Sequence, residues 1–257
     1  MLSAEQLLHS PWALVLSCGG ICIAHVVTDT WFRGRFANCR WFSNLSHFLT
    51  FGYAVVSACH FFAGIVFLLP YLTENIGNDT LWCGQLPSTA EDAGGWIDWI
   101  LKVYFWCKLW ECMDLITVTL RGYPVIAHFR WHHYTTPIFG YFGWASRSHH
   151  GALFLLLNTF MHAMAYVFHS FPSCRVRWLH RCIRSHQNVQ LFVGTVTALL
   201  AWNMSLKGTP CSPLPHDSPL HWTSYFSDIV PALLFTLYFT LFRIELRDEK
   251  KLRYTDE

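Results

Sequence analysis

Seven long apolar segments, separated by short polar stretches, dominate the 257-residue sequence. Each is close to the length that an α-helix needs to cross a bilayer, about 20 residues with a range of roughly 17–25. No internal repeat or linker-like tract separates them, so the pattern predicts one all-α, polytopic membrane domain over residues 1–257. The predicted spans are residues 11–27, 48–70, 97–120, 124–146, 151–170, 187–204 and 223–243.

The third and fourth segments, residues 97–120 and 124–146, are the least typical spans. The third is the least apolar of the seven, and polar groups interrupt the fourth. A strict hydropathy threshold would therefore miss both. We include them because the seven spans together give a consistent topology.

The distribution of basic residues predicts that topology, because cytoplasmic loops carry the excess of Lys and Arg. With a lumenal N-terminus, thirteen of the eighteen Lys and Arg residues fall on the cytosolic side. Only Arg147 and Lys207 fall on the lumenal side, and the other three lie within spans. We therefore predict a lumenal N-terminus and a short, basic, cytosolic C-terminal tail.

Composition supports the membrane assignment. Hydrophobic residues make up 53% of the chain and charged residues 13%, whereas about 25% is usual for soluble domains. Aromatic residues reach 17%, as expected for belts at the two membrane interfaces. The net charge is only +2 and no long basic run occurs, which argues against nucleic acid as a partner.

Two features of the predicted lumenal loops follow from this topology. Cys83 and Cys211 lie in separate lumenal loops, where an oxidising compartment permits a disulfide between them. The alternative is a pair of free thiols. Asn78 begins an N-glycosylation sequon in the first of these loops.

Four polar clusters interrupt the apolar sequence between residues 108 and 190. Ionisable groups are costly to bury in a membrane and indicate a functional site by default. From the predicted span ends and a rise of about 1.5 Å per residue, Glu111, His132 and His162 each lie about 12–13 Å from the cytosolic side. The clusters are Lys108, Glu111 and Asp114; His128, His132 and His133; Asn158, His162 and Tyr166; and Gln187 with Gln190.

Glu111, His132 and His162 thus form one buried polar layer, and the sequence also predicts what lies between this layer and the cytosol. Gln187 and Gln190 begin the sixth span on the cytosolic side of the layer, and four arginines lie in the loop that precedes this span. His149 and His150 fall in the lumenal turn, a membrane thickness away, and we interpret them as surface residues. The arginines are Arg175, Arg177, Arg181 and Arg184.

Each cluster also has a purely structural interpretation. The Lys108 cluster alone can be an ion network that holds helices together, and His162 alone can be a core histidine bonded to Asn158. The glutamines can be a helix-start pair, and the arginines only a topology signal. The convergence of independent clusters at one depth favours a functional site.

At these residues the chain resembles the ELO family of very-long-chain fatty acid elongases. The family shows K-x-x-E-x-x-D, H-x-x-H-H, N-x-x-x-H-x-x-M-Y and Q-x-x-Q, in this order and at similar separations. The matching residues are Lys108, Glu111 and Asp114; His132 and His133; Asn158, His162 and Tyr166; and Gln187 and Gln190.

The chain departs from the family pattern at several positions. Phe129 stands at the first position of H-x-x-H-H, and His128 lies one residue earlier. Because residues three and four apart both approach each other on a helix, His128 can substitute. Leu115 and Arg184 stand where the family usually has Thr, and Ala165 replaces the usual Met.

The resemblance implies condensation of an acyl-CoA with malonyl-CoA, giving a 3-ketoacyl-CoA, CoA and CO2, without a cofactor or metal. His132 and His162 are then acyl acceptor and general base, in an order left open, with Asn158 orienting His162. His133 and Tyr166 donate to the developing enolate oxygen. Lys108, Glu111 and Asp114 hold the histidines, with Gln187 and Gln190 in support.

The resemblance also implies the surroundings of the reaction. The acyl chain needs an apolar tunnel toward the lumenal side, and the CoA phosphates suit Arg175, Arg177, Arg181 or Arg184 at the cytosolic mouth. The expected location is the endoplasmic reticulum membrane. The expected partners are membrane lipid, acyl-CoA, malonyl-CoA and the other enzymes of the elongation cycle; pairing with a second copy stays open.

Two rival functions use similar residues. A di-iron desaturase or hydroxylase also has paired histidines, but it needs about eight of them on one face. A proton-coupled transporter can use buried ionisable residues as a relay, but such folds are often built from repeats, and none is visible here. A malonyl-CoA-dependent activity would separate the three.

Overall fold

The computed structural model describes residues 11–74, 83–87, 95–208, 211 and 226–255. These residues form eight α-helices and one short 3-10 turn at Pro172–Cys174, with no strand among them. Asn78, the predicted glycosylation site, lies outside the described residues. The helices are α1 Pro11–Trp31, α2 Arg40–Phe67, α3 Leu69–Glu74, α4 Trp96–Leu120, α5 Ala127–Ser146, α6 His149–Ser170, α7 Arg177–Leu206 and α8 Phe226–Thr255.

Seven of these helices are long, and each overlaps one of the seven predicted segments. Five contain stretches that are long and apolar enough to cross a membrane. The two others are α4 and α5, which carry two of the four polar clusters. The chain is thus an all-α, multi-pass membrane protein. The five candidate spans are Leu14–Trp31, Arg40–Phe67, His149–Ser170, Arg177–Leu206 and Ser227–Arg247.

Six long helices surround a common interior, which we call the helical barrel. Going around it, α2 packs on α6, α6 on α7, α7 on α8, α8 on α5, α5 on α4, and α4 returns to α2. Helices α4 and α5 approach closely where Gly140 faces Phe105: a Cβ at Gly140 would lie 2.9 Å from the Cα of Phe105. The polar residues of α4, α5 and α6 face one another inside this barrel.

Helix α1 lies outside the barrel against α4 and α5. A buried histidine anchors it. The Nδ1 atom of His25 lies 2.6 Å from the hydroxyl of Tyr134, and its Nε2 atom lies 3.1 Å from the hydroxyl of Thr119. These bonds satisfy the polar groups that the apolar interface buries.

One end of the barrel is covered by the segment at residues 83–87. The Leu86 amide donates to the Arg147 carbonyl at 2.8 Å, and the His149 amide donates to the Gly84 carbonyl at 2.9 Å. This cover buries His149 and His150, which are 4% and 6% exposed. Our interpretation of them as surface residues was therefore wrong, because the covering loop is not visible in the hydropathy pattern.

The predicted disulfide between Cys83 and Cys211 is present, with the two Cα atoms 4.4 Å apart. Cys211 is held further by Asp228 at the start of α8, whose carboxylate accepts from the Cys211 amide at 3.0 Å. The same carboxylate oxygen accepts from the Ser205 hydroxyl. Cys211 is therefore tied to the segment that covers the barrel end and, through Asp228, to α8 and α7.

Candidate active site

A buried ion pair on α4 begins the site. The Lys108 ammonium donates to both carboxylate oxygens of Glu111, at 2.8 and 2.7 Å. Both side chains are almost fully buried, at 2% and 5% exposure. The three-residue spacing places them on one face of the helix. A buried pair of this kind costs desolvation energy, so it indicates a site rather than a device for stability alone.

The two central histidines come from neighbouring helices and meet next to this ion pair. The Nε2 atom of His162 on α6 lies 3.7 Å from the Glu111 carboxylate. The ring of His132 on α5 lies 6.0 Å from the ring of His162, centroid to centroid. The predicted convergence of Glu111, His132 and His162 is confirmed.

Asn158 and Tyr104 form a hydrogen bond that sequence reasoning did not find. The Tyr104 hydroxyl donates to the Asn158 carbonyl oxygen at 2.9 Å, and the Lys108 ammonium lies 4.8 Å above the Tyr104 ring. Asn158 thus has a partner on α4, where we expected it to orient His162. The available signal was the spacing of Tyr104, four residues before Lys108 on the same helix face.

His133 occupies a tight position between α4 and α5. The Cys112 thiol of α4 donates to the His133 backbone carbonyl at 2.9 Å. The Phe129 ring lies 4.2 Å from the His133 ring. The family's first histidine position thus holds a side chain that packs on His133.

His128 is connected to an acidic residue on α8 that no motif contains. Its Nδ1 atom lies 3.7 Å from the Glu245 carboxylate, and Glu245 also pairs with Arg184 of α7. The His128 ring lies 5.9 Å from the His132 ring. His128 is therefore adjacent to His132, as the four-residue spacing predicts. We call His128, His132, His133 and His162 the histidine cluster.

Tyr166 of α6 lies beside Asp114 of α4 and Tyr53 of α2. The Tyr166 hydroxyl is near the Asp114 carboxylate. The Tyr166 ring stacks at 5.4 Å on His162 and lies 5.1 Å from the Tyr53 ring. Asn158, His162 and Tyr166, the polar cluster of α6, thus each contact a polar or aromatic residue of the site.

Helix α7 begins earlier than predicted. It starts at Arg177, so Gln187 lies in its third turn rather than at its start. The correction has a physical reason: hydropathy detects only the apolar part of a helix that continues beyond it. Gln190 is buried at 1% exposure, and Gln187 accepts from Arg184 at 3.4 Å.

The four arginines also differ from the expected loop cluster. Three of them, Arg177, Arg181 and Arg184, belong to α7, and Arg175 lies two residues before its start. Arg175, Arg177 and Arg181 are exposed, whereas Arg184 is half-buried.

A cavity of about 320 Å³ lies against the histidine cluster, between α5, α6 and α7. It extends to the end of α6 and the start of α7, where His169, His180 and Arg184 line it. Five buried polar atoms of the site have no hydrogen-bond partner among the described residues. Because buried polar groups are normally satisfied, these atoms indicate a binding site. They are Nε2 of His128, Nδ1 of His133, Nδ2 of Asn158, Nε2 of His162 and Oε1 of Gln190.

A second cavity of about 590 Å³ adjoins the first, because Phe129 and His169 line both. This second cavity also contacts Asp114. The arginine side chains that line it are Arg121 and Arg175. Within the described parts of the chain, no three His, Cys, Asp or Glu residues are grouped so that they could hold a metal ion.

Fold and site together define a multi-pass helical membrane protein with a buried histidine site. More specifically, the chain belongs to the ELO: GNS1/SUR4 family, whose model matches residues 6–251. It is 28% identical over 103 residues to Very long chain fatty acid elongase 3 of Homo sapiens, covering 39% of this chain and 38% of that protein. No solved structure matches the chain.

Two further relatives come from Caenorhabditis elegans. Putative fatty acid elongase 3 is 24% identical over 152 residues, covering 58% of this chain and 45% of the relative. Long chain fatty acid elongase 1 is 26% identical over 184 residues, covering 69% of this chain and 62% of the relative. The chain thus matches less than two thirds of the length of each of the three relatives.

Proposed function

We propose that this protein is a fatty acid elongase that condenses a long-chain acyl-CoA with malonyl-CoA. The products are a 3-ketoacyl-CoA two carbons longer, free CoA and CO2. Family membership and the names of the relatives support this activity over a desaturase or a transporter. The observation that carries it is the meeting of Glu111, His132 and His162 beside one cavity.

In the first step, His132 accepts the acyl group. An imidazole nitrogen attacks the thioester carbonyl, the carbon–sulfur bond breaks, and CoA leaves as a thiolate that takes up a proton. We assign this role to His132 because the Nε2 atom of His162 faces the Glu111 carboxylate at 3.7 Å, close enough for an ion pair once His162 is protonated. A neighbouring carboxylate stabilises a protonated imidazole, which suits His162 as the general base.

In the second step, malonyl-CoA loses CO2 and leaves an enolate of acetyl-CoA. The enolate carbon attacks the acyl carbonyl, the bond to His132 breaks, and the 3-ketoacyl-CoA is released. Donors aimed at the enolate oxygen would stabilise this intermediate. The candidates are His133, Tyr166 and the Asn158 amide, whose Nδ2 atom lacks a partner among the described residues.

The remaining motif residues hold this arrangement. Lys108 fixes the Glu111 carboxylate that faces His162, and Asp114 lies near the Tyr166 hydroxyl. His128 takes the place of the first family histidine from one residue earlier, held there by Glu245. Each residue acts through another side chain, so we regard these as positioning residues.

The nucleotide end of CoA would lie in the second cavity rather than along α7. That cavity adjoins the histidine cluster and contains two arginines, Arg121 and Arg175. Arginine suits phosphate because it can donate two parallel hydrogen bonds. Of the other predicted arginines, Arg184 is paired with Glu245, and Arg177 and Arg181 are exposed on the first turns of α7.

The membrane setting is part of the same proposal. All seven long helices would cross the membrane of the endoplasmic reticulum, with the N-terminus in the lumen. The barrel end with the disulfide would then lie on the oxidising side. The end of α6 and the start of α7, with their arginines, would face the cytosol, in agreement with the positive-inside rule.

The test is product formation in microsomes from cells that express the chain. A panel of acyl-CoAs is supplied with labelled malonyl-CoA, and products two carbons longer are measured. His132→Ala should lower the rate by about a thousandfold or more, as expected for loss of a nucleophile. The matched control is His60→Ala, a buried histidine on α2 outside the cavity.

Both variants are first checked for membrane insertion and for unchanged size in detergent. Elongation by the unaltered protein, lost in His132→Ala and kept in His60→Ala, is the expected result. No elongated product from any acyl-CoA, with the protein intact in the membrane, would overturn the proposed function. Full activity in His132→Ala would overturn only the assignment of the acyl acceptor.

A further inference from the structure

An apolar groove lies on the outside of the helical barrel, in the seam between α2 and α4. Its volume is about 430 Å³. It runs from Phe48 to Ser57 along α2, which corresponds to about 14 Å of helix. Among the described residues, the only charged side chain that lines it is Glu111. We call this space between the two helices the lateral groove.

The lateral groove has an accessible rim and a buried bottom. At the rim, Trp110 is 61% exposed and Val56 is 46% exposed. At the bottom, Ser57 and Glu111 are only 6% and 4% exposed. Helix α2 is one of the candidate membrane spans, so the open side of the groove would face lipid. A hydrocarbon chain suits such walls, whereas a polar group would be left without partners.

The bottom of the lateral groove adjoins the candidate active site. Glu111 lines the groove, and its carboxylate lies 3.7 Å from the Nε2 atom of His162. Beside it, the Tyr53 hydroxyl of α2 donates across the seam to the Trp110 carbonyl of α4 at 3.2 Å. The Tyr53 ring also lies 5.1 Å from the Tyr166 ring. One layer of side chains therefore separates the groove from the histidine cluster.

The second cavity lies along the same seam, next to the lateral groove. On α2, Thr50 lines the second cavity, and Gly52, two residues further, lines the groove. On α4, Asp114 lines the second cavity, and Glu111, three residues earlier, lines the groove. The seam thus offers two arginines at one end and apolar walls at the other. An acyl-CoA has the same order, with phosphates at one end and a hydrocarbon chain at the other.

On the basis of the proposed elongase function, we infer that the lateral groove receives the acyl chain of an acyl-CoA from the membrane. Arg121 and Arg175 in the second cavity bind the CoA phosphates at the same time. The thioester, which joins the two parts, then lies where cavity and groove meet, near Glu111 and Asp114. The chain therefore reaches the histidine cluster sideways, between α2 and α4, and is not threaded end-first through the cytosolic mouth.

A photoreactive acyl-CoA tests where the chain lies. The probe is palmitoyl-CoA with a diazirine near the end of its acyl chain, added to His132→Ala in lipid nanodiscs so that the chain is not transferred before irradiation. Mass spectrometry should find crosslinks on residues 48–57 of α2 and 103–110 of α4. Excess CoA should remove them, because it displaces the nucleotide part. Crosslinks confined to the barrel interior, or seam crosslinks that excess CoA leaves unchanged, would overturn the inference.

Gly52→Leu tests the same point by filling the lateral groove. A Cβ at Gly52 would meet nothing within 4 Å, so the new side chain extends into the groove without a clash. Affinity for palmitoyl-CoA, measured by protection against thermal unfolding, should fall roughly tenfold or more, the factor for two CH2 groups that lose their apolar contacts. Affinity for malonyl-CoA, which has no long chain, should not change. The matched control is Gly20→Leu on α1, where a Cβ also meets nothing within 4 Å.

Neither binding experiment requires turnover, so the groove and the proposed function can fail separately. If no acyl-CoA is elongated but the seam crosslinks form and Gly52→Leu weakens palmitoyl-CoA binding, the elongase function fails and the groove stands. If elongation occurs and Gly52→Leu binds palmitoyl-CoA as the unaltered protein does, the groove fails and the function stands. If Gly52→Leu does not insert into the membrane, Val103→Phe fills the groove from α4 and provides the same test.

Discussion

Replacing Lys108 with Met should destabilise the protein strongly and selectively. The ammonium donates two hydrogen bonds to the Glu111 carboxylate, and both side chains are nearly inaccessible to solvent. Removing one partner of a buried pair leaves the other charge uncompensated, at a cost of about 3–5 kcal/mol. For a chain of this size, this corresponds to a decrease in Tm of roughly 6–20 °C.

The assay is thermal unfolding of purified protein in one detergent, followed by intrinsic fluorescence. Lys102→Met is the matched control on the same helix, because Lys102 is 37% exposed and lies 3.9 Å from Asp98. Exposed pairs contribute about 0–1 kcal/mol. The double variant Lys108→Met with Glu111→Gln should recover part of the loss, since it removes both charges.

Two results would refute this reasoning. If Lys108→Met and Lys102→Met lower the Tm equally, the buried carboxylate of Glu111 needs its lysine no more than the exposed carboxylate of Asp98 does. If the costs of the Lys108 and Glu111 variants simply add in the double variant, the two side chains are not coupled. Either result would mean that the buried pair of Lys108 and Glu111 does not stabilise the fold as its geometry implies.

Two other changes, the loss of the disulfide and the filling of a glycine contact, test how the barrel is held together. Removing the disulfide with Cys83→Ser and Cys211→Ser together should lower the free energy of unfolding by about 2–5 kcal/mol, because the bond joins positions 128 residues apart. Thermal unfolding is measured with and without reductant, and the reductant should lower the Tm of the unaltered protein but not that of the variant. Gly140→Ala should cost about 1–3 kcal/mol by overpacking against Phe105. Gly143→Ala, where a Cβ meets nothing within 4 Å, should cost less than 1 kcal/mol in the same experiment.

The positions of the long helices were largely predictable from hydropathy, whereas their ends were not. The predicted span at residues 187–204 is the apolar part of α7, which extends from Arg177 to Leu206. Helix α2 likewise begins at Arg40, eight residues before its predicted span. A helix continues into polar sequence as long as its backbone bonds form, while the apolar signal reports only what a bilayer or a core would bury.

Site residues on one helix were predictable because helical spacing places them on one face. Contacts between helices were not, since no spacing within one segment specifies its neighbour. The bond from Tyr104 to Asn158 and the approach of His128 to Glu245 are both of this kind. Glu245 belongs to the last helix, whose sequence shows no motif, so only the packed barrel reveals its role.

The limit of sequence reasoning is clearest along α6, which contributes both to the histidine cluster and to the apolar packing beside it. Asn158 and His162 stand out because they are polar in an apolar segment, whereas Phe154 resembles any other membrane residue. Yet Phe154 lies only one helical turn before Asn158, and its ring lies 4.4 Å from the ring of Phe235 on α8. Polar residues in an apolar segment therefore indicate where a site lies, whereas the apolar contacts that hold its helices together are visible only in the packed structure.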